Sequence, residues 1–300
     1  MSIYLGIDGG GSKTTCVVGD ETSVLATATA GGMNLVRSGE AQARTNLHEV
    51  IRQACAAAKV DPSQITRACL GTTGAGRPEA AELLRKIVRE VLPAEIKVVG
   101  DTVIALHAAF ENGVGIVVIA GTGSIAYGRN QDGQTGRAGG WGYAISDEGS
   151  GQWIGRTAVS AVFRAHDEGE SSRLFRLVCN AWGVNGIDEM VRVANAVPPP
   201  DFFALVPSVL EAADAGDALA RSVITQAGTE LATLAKIVIR RIFETQANVP
   251  LAMSGGVFRN SALVRQVFYN SVRSEHPDAK ISSSVIDPVK GALALARAQS

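Results

Sequence analysis

A run of glycines between two short apolar segments, DGGGSKTT at residues 8–15, constrains the fold of this chain more than any other feature. The apolar residues at 3–7 predict one strand, and the β-branched and small residues at 14–18 predict a second strand that returns. A P-loop would need Lys where Ser12 stands, followed at once by a helix, and no helical pattern follows. We therefore predict a β-hairpin whose turn exposes several backbone N–H groups.

The glycine turn of this hairpin has two interpretations. One is a plain hairpin turn, and the other is a phosphate-binding turn, which the three glycines favour because a hairpin needs fewer. Asp8 stands at the mouth of the turn. A carboxylate there cannot bind an anion, but it can hold Mg²⁺, which takes a few carboxylates together with the phosphates of its substrate. The turn is thus predicted to bind phosphate groups.

The same plan recurs in the second half of the chain. A continuous apolar run at 114–120 predicts a strand covered on both faces, and the sequence GTG at 121–123 leads into another strand pattern. We interpret the two copies as a structural duplication. Two such turns facing one another, with a third glycine turn at 255–256, would place phosphate-binding backbone on both walls of a cleft between two similar domains.

Strand and helix patterns alternate along the chain, which predicts an α/β fold. The later part of the chain is mainly helical, and three prolines at 198–200 mark a loop or a hinge between helices there. Besides the two hairpins, strands are predicted at 65–70, 96–100 and 250–253, and helices at 40–59, 78–92, 102–110, 219–243 and 291–298.

Composition and charge exclude several classes of protein. The 300 residues, 46% of them hydrophobic, suffice for about two domains with sizeable cores. The 28 basic and 29 acidic side chains give a net charge of −1, so nothing predicts binding to nucleic acid or to an anionic membrane. Apolar runs too short to cross a bilayer, and an N-terminus without a signal-peptide pattern, lead us to expect a cytoplasmic protein. The four cysteines are scattered, which predicts buried, reduced thiols rather than a metal site.

Five segments carry a resemblance that runs along nearly the whole chain: GIDGGGSKT, VVGDTVIALHAA, VIAGTGSIAYG, GGWGYAISDEGSG and MSGGVFRN, in this order. The chain resembles the sugar kinases of the actin, hexokinase and heat-shock ATPase superfamily. Within that superfamily it is similar to the amino-sugar kinases related to N-acetylglucosamine kinase and to the BadF/BcrA-type ATPases. The resemblance implies two ribonuclease H-like (actin-like ATPase) domains with the active site in the cleft between them. Residues 1–112 plus 289–300 would form the N-terminal domain, and residues 113–288 the C-terminal domain.

The resemblance also implies how the reaction is catalysed. Asp101 matches the catalytic base, which takes the proton from the 6-hydroxyl of the sugar as that oxygen attacks the γ-phosphorus of ATP. Positioning and charge neutralisation would supply most of the acceleration. Without the resemblance, Asp101 before a predicted helix would be interpreted as an N-cap.

The remaining site residues are matched to the family one by one. Asp8 matches the residue that helps to place Mg²⁺. Without the resemblance, Lys13 is as easily a solvated side chain, Asn34 a turn residue, Trp141 a core aromatic and residues 140–149 a loop that caps the helix starting near 151. The implied ATP contacts are Gly9, Gly10, Gly11, Ser12, Lys13, Thr14, Gly121, Thr122, Gly123, Gly255 and Gly256, and the implied sugar contacts are Asn34, Asp101, Ser124, Gly140, Trp141 and Asp147.

The chain also departs from the family in places. Ile125 follows the second turn, where members selective for N-acetylated sugars tend to have a polar residue, so free glucosamine stays open as the substrate. The zinc-binding cysteine cluster of the repressor-and-kinase sugar kinases is absent. No cysteine is placed to share an iron–sulfur cluster, as the reductase-activating ATPases require.

Three functions therefore compete. The first is an ATP-dependent kinase that phosphorylates N-acetylglucosamine or glucosamine. The second is an ATPase that activates a partner protein, against which the lack of cluster cysteines counts. The third is a non-catalytic protein that senses nucleotide or sugar, which is disfavoured because Asp8, Asp101, Thr122 and Asp147 are all present. The resemblance also allows a homodimer, which no residue pattern specifies.

Overall fold

The computed structural model describes residues 2–33, 35–243 and 248–298, except for the side chains of residues 36–38. The chain forms two compact units: unit 1 is Met1–Val117 with Ile286–Ser300, and unit 2 is Val118–Val285. The predicted domain boundaries at 112/113 and 288/289 stay a prediction. In the part of the chain described, no helix is both long and apolar enough to span a membrane.

Strands and helices alternate through most of the chain. The strands are β1 (Ile3–Gly9), β2 (Lys13–Gly19), β3 (Val24–Gly31), β4 (Ile65–Thr72), β5 (Glu95–Val99), β6 (Gly115–Ala120), β7 (Ser124–Arg129), β8 (Thr135–Gly139), β9 (Pro250–Ser254) and β10 (Lys280–Ile286). The α-helices are α1 (Leu35–Ala58), α2 (Pro78–Arg89), α3 (Asp101–Ala109), α4 (Gly151–Asp167), α5 (Arg173–Trp182), α6 (Ile187–Ala194), α7 (Val206–Asp214), α8 (Ala218–Ile242), α9 (Gly256–Asn260), α10 (Ala262–Glu275) and α11 (Pro288–Arg297).

Each unit contains one five-stranded sheet, and the two sheets share one topology. The first has the order β3-β2-β1-β4-β5, and the second has the order β10-β9-β6-β7-β8. Read in reverse, the second order is β8-β7-β6-β9-β10. This is the first order with five added to each strand number, so equivalent strands occupy equivalent positions in the two sheets. The predicted duplication is therefore confirmed, and so is the α/β fold.

Both faces of the unit 1 sheet are covered by helices. Side chains alternate between the faces of a strand, so Leu5 and Ile7 of β1 pack into the core beneath α1 and α2, whereas Tyr4 packs into a second core on the other face. The second core also contains Ile104 of α3 and Leu293 of α11. A strand covered on both faces needs apolar residues at nearly every position, and β1 has them.

The four cysteines are buried free thiols, as predicted. Burial raises the pKa of Cys55 to about 11 and that of Cys69 to about 12, and it also raises the pKa of Cys16 and Cys179. A thiol with a raised pKa stays protonated and unreactive at neutral pH. The cysteines thus contribute to packing rather than to chemistry.

Helix starts in unit 2 follow local capping chemistry. Ser150, Ser172, Asp217 and Ser261 stand at the N-caps of α4, α5, α8 and α10, and each side chain accepts a hydrogen bond from the first turn of its helix. The start of α4 is the one that bears on the site, because it fixes how the helix approaches the second glycine turn.

Candidate active site

The first predicted hairpin is present, and one side of its turn is not covered by other atoms of the protein. Strands β1 and β2 are antiparallel, and the N–H of Gly10 donates to the carbonyl of Lys13 (3.0 Å) to close the turn. A Cβ added to Gly11 would meet no atom within 4 Å, whereas a Cβ at Gly10 would lie 2.7 Å from the Lys13 carbonyl oxygen. Ser12 and Lys13 are exposed. The turn is thus open to a ligand on the side of Gly11, as phosphate binding requires.

The segment after β3 supports the other side of this turn. The N–H of Met33 donates to the carbonyl of Gly10 (3.1 Å), and the Met33 thioether packs against Gly9. The buried hydroxyl of Thr14 donates to the carbonyl of Gly31 (2.7 Å), which ties the hairpin to β3. The predicted sugar contact Asn34 follows directly, but it lies outside the described residues.

Three parallel strands bring the acidic residues of unit 1 to one edge of the sheet. Strand β4 is parallel to both β1 and β5, so the carboxyl ends of all three meet there. Asp8 lies at the end of β1, level with Gly71 of β4. Asp101 follows β5 and is half-buried in the first turn of α3. This edge therefore carries both carboxylates that were predicted for unit 1.

Asp101 is held by two hydrogen bonds. Its Oδ2 accepts from the hydroxyl of Thr73 (2.8 Å), and its Oδ1 accepts from the N–H of Thr102 (2.9 Å). The N-cap of α3 is Gly100, so the interpretation of Asp101 as an N-cap is wrong. A carboxylate in the first turn still interacts favourably with the helix dipole.

The second glycine turn joins β6 to β7, and the N-terminus of α4 holds it. The N–H groups of Gly151 and Gln152 donate to the carbonyls of Gly121 (2.8 Å) and Thr122 (3.3 Å). These carbonyls therefore point towards the helix. A Cβ at Gly121 would meet nothing within 4 Å, so this turn too is open on one side.

The carboxylate of Asp147 lies directly against this turn. A Cβ at Gly123 would come within 2.8 Å of Asp147 Oδ2, so only glycine leaves the carboxylate its space. Asp147 is 7% exposed and has φ +68°, a conformation that is unusual outside glycine and that tends to occur at functional sites. Burial raises the pKa of Asp147, and the backbone N–H groups of Gly142 and Ser124 partly offset this effect.

The predicted residue Ser124 and its neighbour Glu148 have mainly supporting contacts beside Asp147. The buried hydroxyl of Ser124 donates to the carbonyl of Glu148 (2.7 Å), which ties β7 to the loop at 140–149. The carboxylate of Glu148 accepts from the hydroxyl of Ser146 (3.2 Å). Glu230 of α8 faces it, and the pKa of Glu230 is raised by burial and by the charge of Glu148.

Trp141 lies on the surface of unit 2, so its interpretation as a core aromatic is wrong. It is 67% exposed, and the guanidinium carbon of Arg137 lies 3.9 Å from the centre of its ring. The same guanidinium donates to the carbonyls of Gly139 (2.9 Å) and Gly140 (3.2 Å). From α4, Arg156 donates to the carbonyl of Tyr143 (3.2 Å). The loop thus presents a broad aromatic face that two arginines hold in place.

The third glycine turn lies beside the second. Strand β9 ends at Ser254, and Gly255 has φ +97°. A Cβ on Gly255 would overlap the backbone of Ala120, the last residue of β6. Helix α9 begins at once with Gly256. The predicted adenosine loop and the second hairpin are therefore neighbours within unit 2.

Two side chains that hold site residues were not predicted from the sequence: Thr73, which holds Asp101, and Arg137, which holds Trp141. Thr73 directly follows β4 in the segment TGAG, and a loop position after a predicted strand is a signal for a site residue. Arg137 stands four residues before Trp141 in a strand that was not predicted, so no pattern points to it.

The chain is similar along nearly its whole length to a family of ATPases and to amino-sugar kinases. The sequence pattern of the BadF/BadG/BcrA/BcrD ATPase family matches residues 5–296. An N-acetylmuramic acid/N-acetylglucosamine kinase of Clostridium acetobutylicum is 31% identical over 100% of this chain and 99% of its own length. An N-acetyl-D-glucosamine kinase of Dictyostelium discoideum is 29% identical over 98% and 97% of the two chains. A crystallised candidate N-acetylglucosamine kinase of Chromobacterium violaceum superposes with a TM-score of 0.78 at 27% identity, and the match covers 98% of this chain and 99% of its own.

Proposed function

Because the chain belongs to the BadF/BadG/BcrA/BcrD ATPase family, we propose that it is an ATP-dependent amino-sugar kinase. The observation that carries the proposal lies within unit 2. There the carboxylate of Asp147, a group suited to accept hydrogen bonds from sugar hydroxyls, abuts Gly123 of an open glycine turn suited to phosphate. A phosphate-binding turn beside a hydroxyl-binding carboxylate is the juxtaposition that transfer of phosphate to a sugar needs.

In the proposed reaction the sugar 6-hydroxyl attacks the γ-phosphorus of ATP. Its oxygen forms the new P–O bond, the bond from the γ-phosphorus to the bridging oxygen breaks, and ADP leaves with that electron pair. The Asp101 carboxylate takes the hydroxyl proton. The N–H groups of Gly10 and Gly121 make hydrogen bonds within their own turns. The other backbone N–H groups of the turns at Gly9–Gly11 and Gly121–Gly123 would donate to the phosphates, and the third turn at Gly255–Gly256 would lie along the adenosine.

The residues present fit Mg²⁺ bound together with ATP. Within the described ranges, no three His, Cys, Asp or Glu side chains form a group that could hold a metal ion. Asp8 offers one half-buried carboxylate at the end of β1, next to the first turn. A single carboxylate suits Mg²⁺, which fills its other positions with substrate phosphates and water. When bound, the ion would neutralise the charge of the phosphates, and Asp8 would hold it.

We propose an N-acetylated amino sugar as the substrate, since the related kinases of Clostridium acetobutylicum and Dictyostelium discoideum carry such sugars in their names. Free glucosamine is the second candidate, because Ile125 offers no polar group to an acetyl substituent. The Ile125 side chain packs against Gly140, where a Cβ would come within 2.8 Å of its Cδ1. Ile125 thus supports the loop that carries Trp141.

The first experiment measures ADP formation with Mg²⁺-ATP and N-acetylglucosamine, N-acetylmuramic acid, glucosamine, glucose or no sugar. We expect ADP formation to depend strongly on one amino sugar, and NMR of the product to place the phosphate on the 6-oxygen. Slow hydrolysis at one rate in every sample would contradict the kinase and favour a partner-activating ATPase. Binding of sugar and ATP without ADP formation would favour a sensor.

The catalytic role of Asp101 is tested with Asp101→Asn. We expect loss of transfer while calorimetry still detects binding of sugar and of nucleotide, because the amide keeps the size of the carboxylate but cannot take the proton. Asp132→Asn, in the exposed turn between β7 and β8, is the matched control and should be fully active. Loss of binding together with activity in Asp101→Asn would make Asp101 structural instead.

The cytoplasmic location and the homodimer are further proposals that rest on the family. Cell fractionation and light scattering of the purified protein would test them.

A further inference from the structure

Two adjacent threonines at the end of β4 connect different parts of the unit 1 site. Thr72 is buried, and its hydroxyl donates to the carbonyl of Gly9 (2.8 Å), the residue that follows Asp8. Thr73 is exposed, and its hydroxyl donates to Asp101 Oδ2 (2.8 Å). The last residue of β4 and the first residue of the turn after it therefore reach β1 and α3, respectively.

The bond from Thr73 limits how the Asp101 carboxylate can turn. The torsion that rotates a carboxylate plane has a broad energy minimum, so an Asp side chain by itself samples a wide range of orientations. In Asp101 the two oxygens have different donors, the Thr73 hydroxyl on Oδ2 and the Thr102 N–H on Oδ1. Two donors on two oxygens define the plane, and a carboxylate has about four lone-pair sites, so sites remain for a substrate hydroxyl.

We propose that Thr73 is a positioning residue for phosphoryl transfer, which holds the Asp101 carboxylate in the plane in which it accepts the proton of the sugar hydroxyl. The inference rests on the proposed function, since it needs Asp101 as the base. Thr73 contacts the Asp101 carboxylate, so in this proposal it acts through the orientation of Asp101. Misplaced catalytic groups lower the rate of the chemical step more than they weaken binding.

The test compares Thr73→Val with Thr73→Ser. Valine has nearly the shape of threonine without the hydroxyl, and the site is exposed, so the fold should be preserved. We expect Thr73→Val to lower kcat by ~10-fold or more, the effect of losing one hydrogen bond to a charged group, while the KM values for sugar and ATP change by less than about twofold. Thr73→Ser keeps the hydroxyl and should restore most of kcat.

Thr66→Val is the matched control. Thr66 lies on the same strand at its other end, and its hydroxyl donates to the carbonyl of Ile3 at the same distance of 2.8 Å. The substitution removes an equivalent hydrogen bond far along the sheet, so kcat should stay at the wild-type value. The thermal midpoints of all three variants are measured alongside, because a fall in kcat that follows stability would overturn the inference.

A second experiment separates this inference from the proposed function. If Thr73 acts through Asp101, then Thr73→Val should have no further effect on the residual activity of Asp101→Asn. Wild-type kcat in Thr73→Val, together with an inactive Asp101→Asn, would overturn the inference and leave the kinase in place. Equal losses in Thr73→Val and Thr73→Ser would overturn it as well. An active Asp101→Asn would instead remove the proposed base.

Discussion

At the scale of single residues, Asp147 combines a proposed ligand role with an unfavourable environment. Burial raises the pKa of its carboxyl group, so the folded protein binds the proton more tightly than the unfolded chain does. The stability that this group contributes is fully present below the unfolded pKa of ~4 and is lost as the pH rises through the raised folded value. At neutral pH the ionised carboxylate therefore destabilises the fold, and a ligand that donates hydrogen bonds to it would compensate.

Asp147→Asn should therefore be more stable than the wild type at neutral pH. Asparagine tolerates positive φ and has the same shape, but it carries no charge to desolvate. We expect the gain in Tm to be largest near pH 7 and to shrink as the pH falls towards ~4, where the wild-type carboxyl group is protonated. Sugar affinity should fall, which calorimetry would measure. A gain in Tm that does not vary with pH would show that removal of the buried charge is not its cause.

A second residue-scale prediction concerns Arg137 and Trp141. Lysine at position 137 keeps the charge but loses the planar group that covers the indole and spans two carbonyls. Arg137→Lys should raise the KM for sugar by about 3- to 30-fold, the size of one cation–π contact, and leave the KM for ATP unchanged. The exposed Arg129→Lys on β7 is the control. An unchanged sugar KM with greater quenching of Trp141 fluorescence would show that the stack orders the ring without affecting the sugar.

At the scale of elements, the strands outside the predicted ranges are all at sheet edges. These are β3, β8 and β10, and each lies at the end of its sheet. An edge strand has one neighbour and more contact with water, so its sequence need not be apolar. Strand β10 contains three serines, and β3 alternates small residues with threonine. The inner strands carry the apolar patterns that predict a strand, because helices cover them.

The predicted starts of two helices also differ from the observed starts. The predicted helix at 40–59 begins earlier, at Leu35, and contains non-helical backbone at Gly39 (φ 76°, ψ 165°). The closing helix begins at Pro288 instead of 291, with proline in the first turn, where its missing N–H has no effect. Where a helix begins depends on which of its turns pack against the rest of the protein, and the local sequence pattern does not specify that.

The element-scale prediction concerns the crossing of α3 and α11 in unit 1. Gly291 lies against the carbonyl of Ile104, and a Cβ would overlap that backbone oxygen. Gly291→Ala should therefore lower the free energy of unfolding by ~1–3 kcal/mol, although alanine is the better helix former. Lys290→Ala, exposed on the same helix, should leave stability almost unchanged. Thermal or urea unfolding measures the stability of both variants. A Gly291→Ala variant as stable as the wild type would show that α3 and α11 can move apart to admit the methyl group.

At the scale of the whole molecule, unit 1 is discontinuous, since the end of the chain completes the core that begins with β1. Four residues of α11 are buried in this core: Val289, Ala292, Leu293 and Ala296. Their transfer from water contributes roughly 1–3 kcal/mol for each larger side chain, a substantial part of the ~5–15 kcal/mol by which a domain is stable. A chain that ends at residue 285 should therefore lose the cooperative unfolding of unit 1.

A permuted chain should restore that unfolding transition. The guanidinium of Arg67 donates to the carbonyl of Ala298 (2.8 Å) and lies 5.2 Å from the ring centre of Tyr4, so the end of α11 is close to the start of β1. Placing residues 286–300 ahead of residue 1 through a short flexible linker should recover the wild-type Tm and kinase activity. Calorimetry of the truncated and permuted chains decides this, and a truncated chain with wild-type Tm would contradict the role of α11.

What the sequence by itself determined is the set of local devices and the family. Glycine turns between apolar strands, alternating helix and strand patterns and five ordered motifs predicted both hairpins, the duplication and the resemblance, all of which are confirmed. The site assignments that the resemblance implies stay proposals. Only the tertiary structure decided that Thr73 holds Asp101, that Arg137 covers Trp141 and that Asp147 needs a glycine at 123. Local sequence patterns reflect the backbone preferences of the residues and the spacing of the buried side chains along a strand or helix. Each of these contacts depends instead on how strands pair and helices pack, which brings together residues that are distant in the sequence.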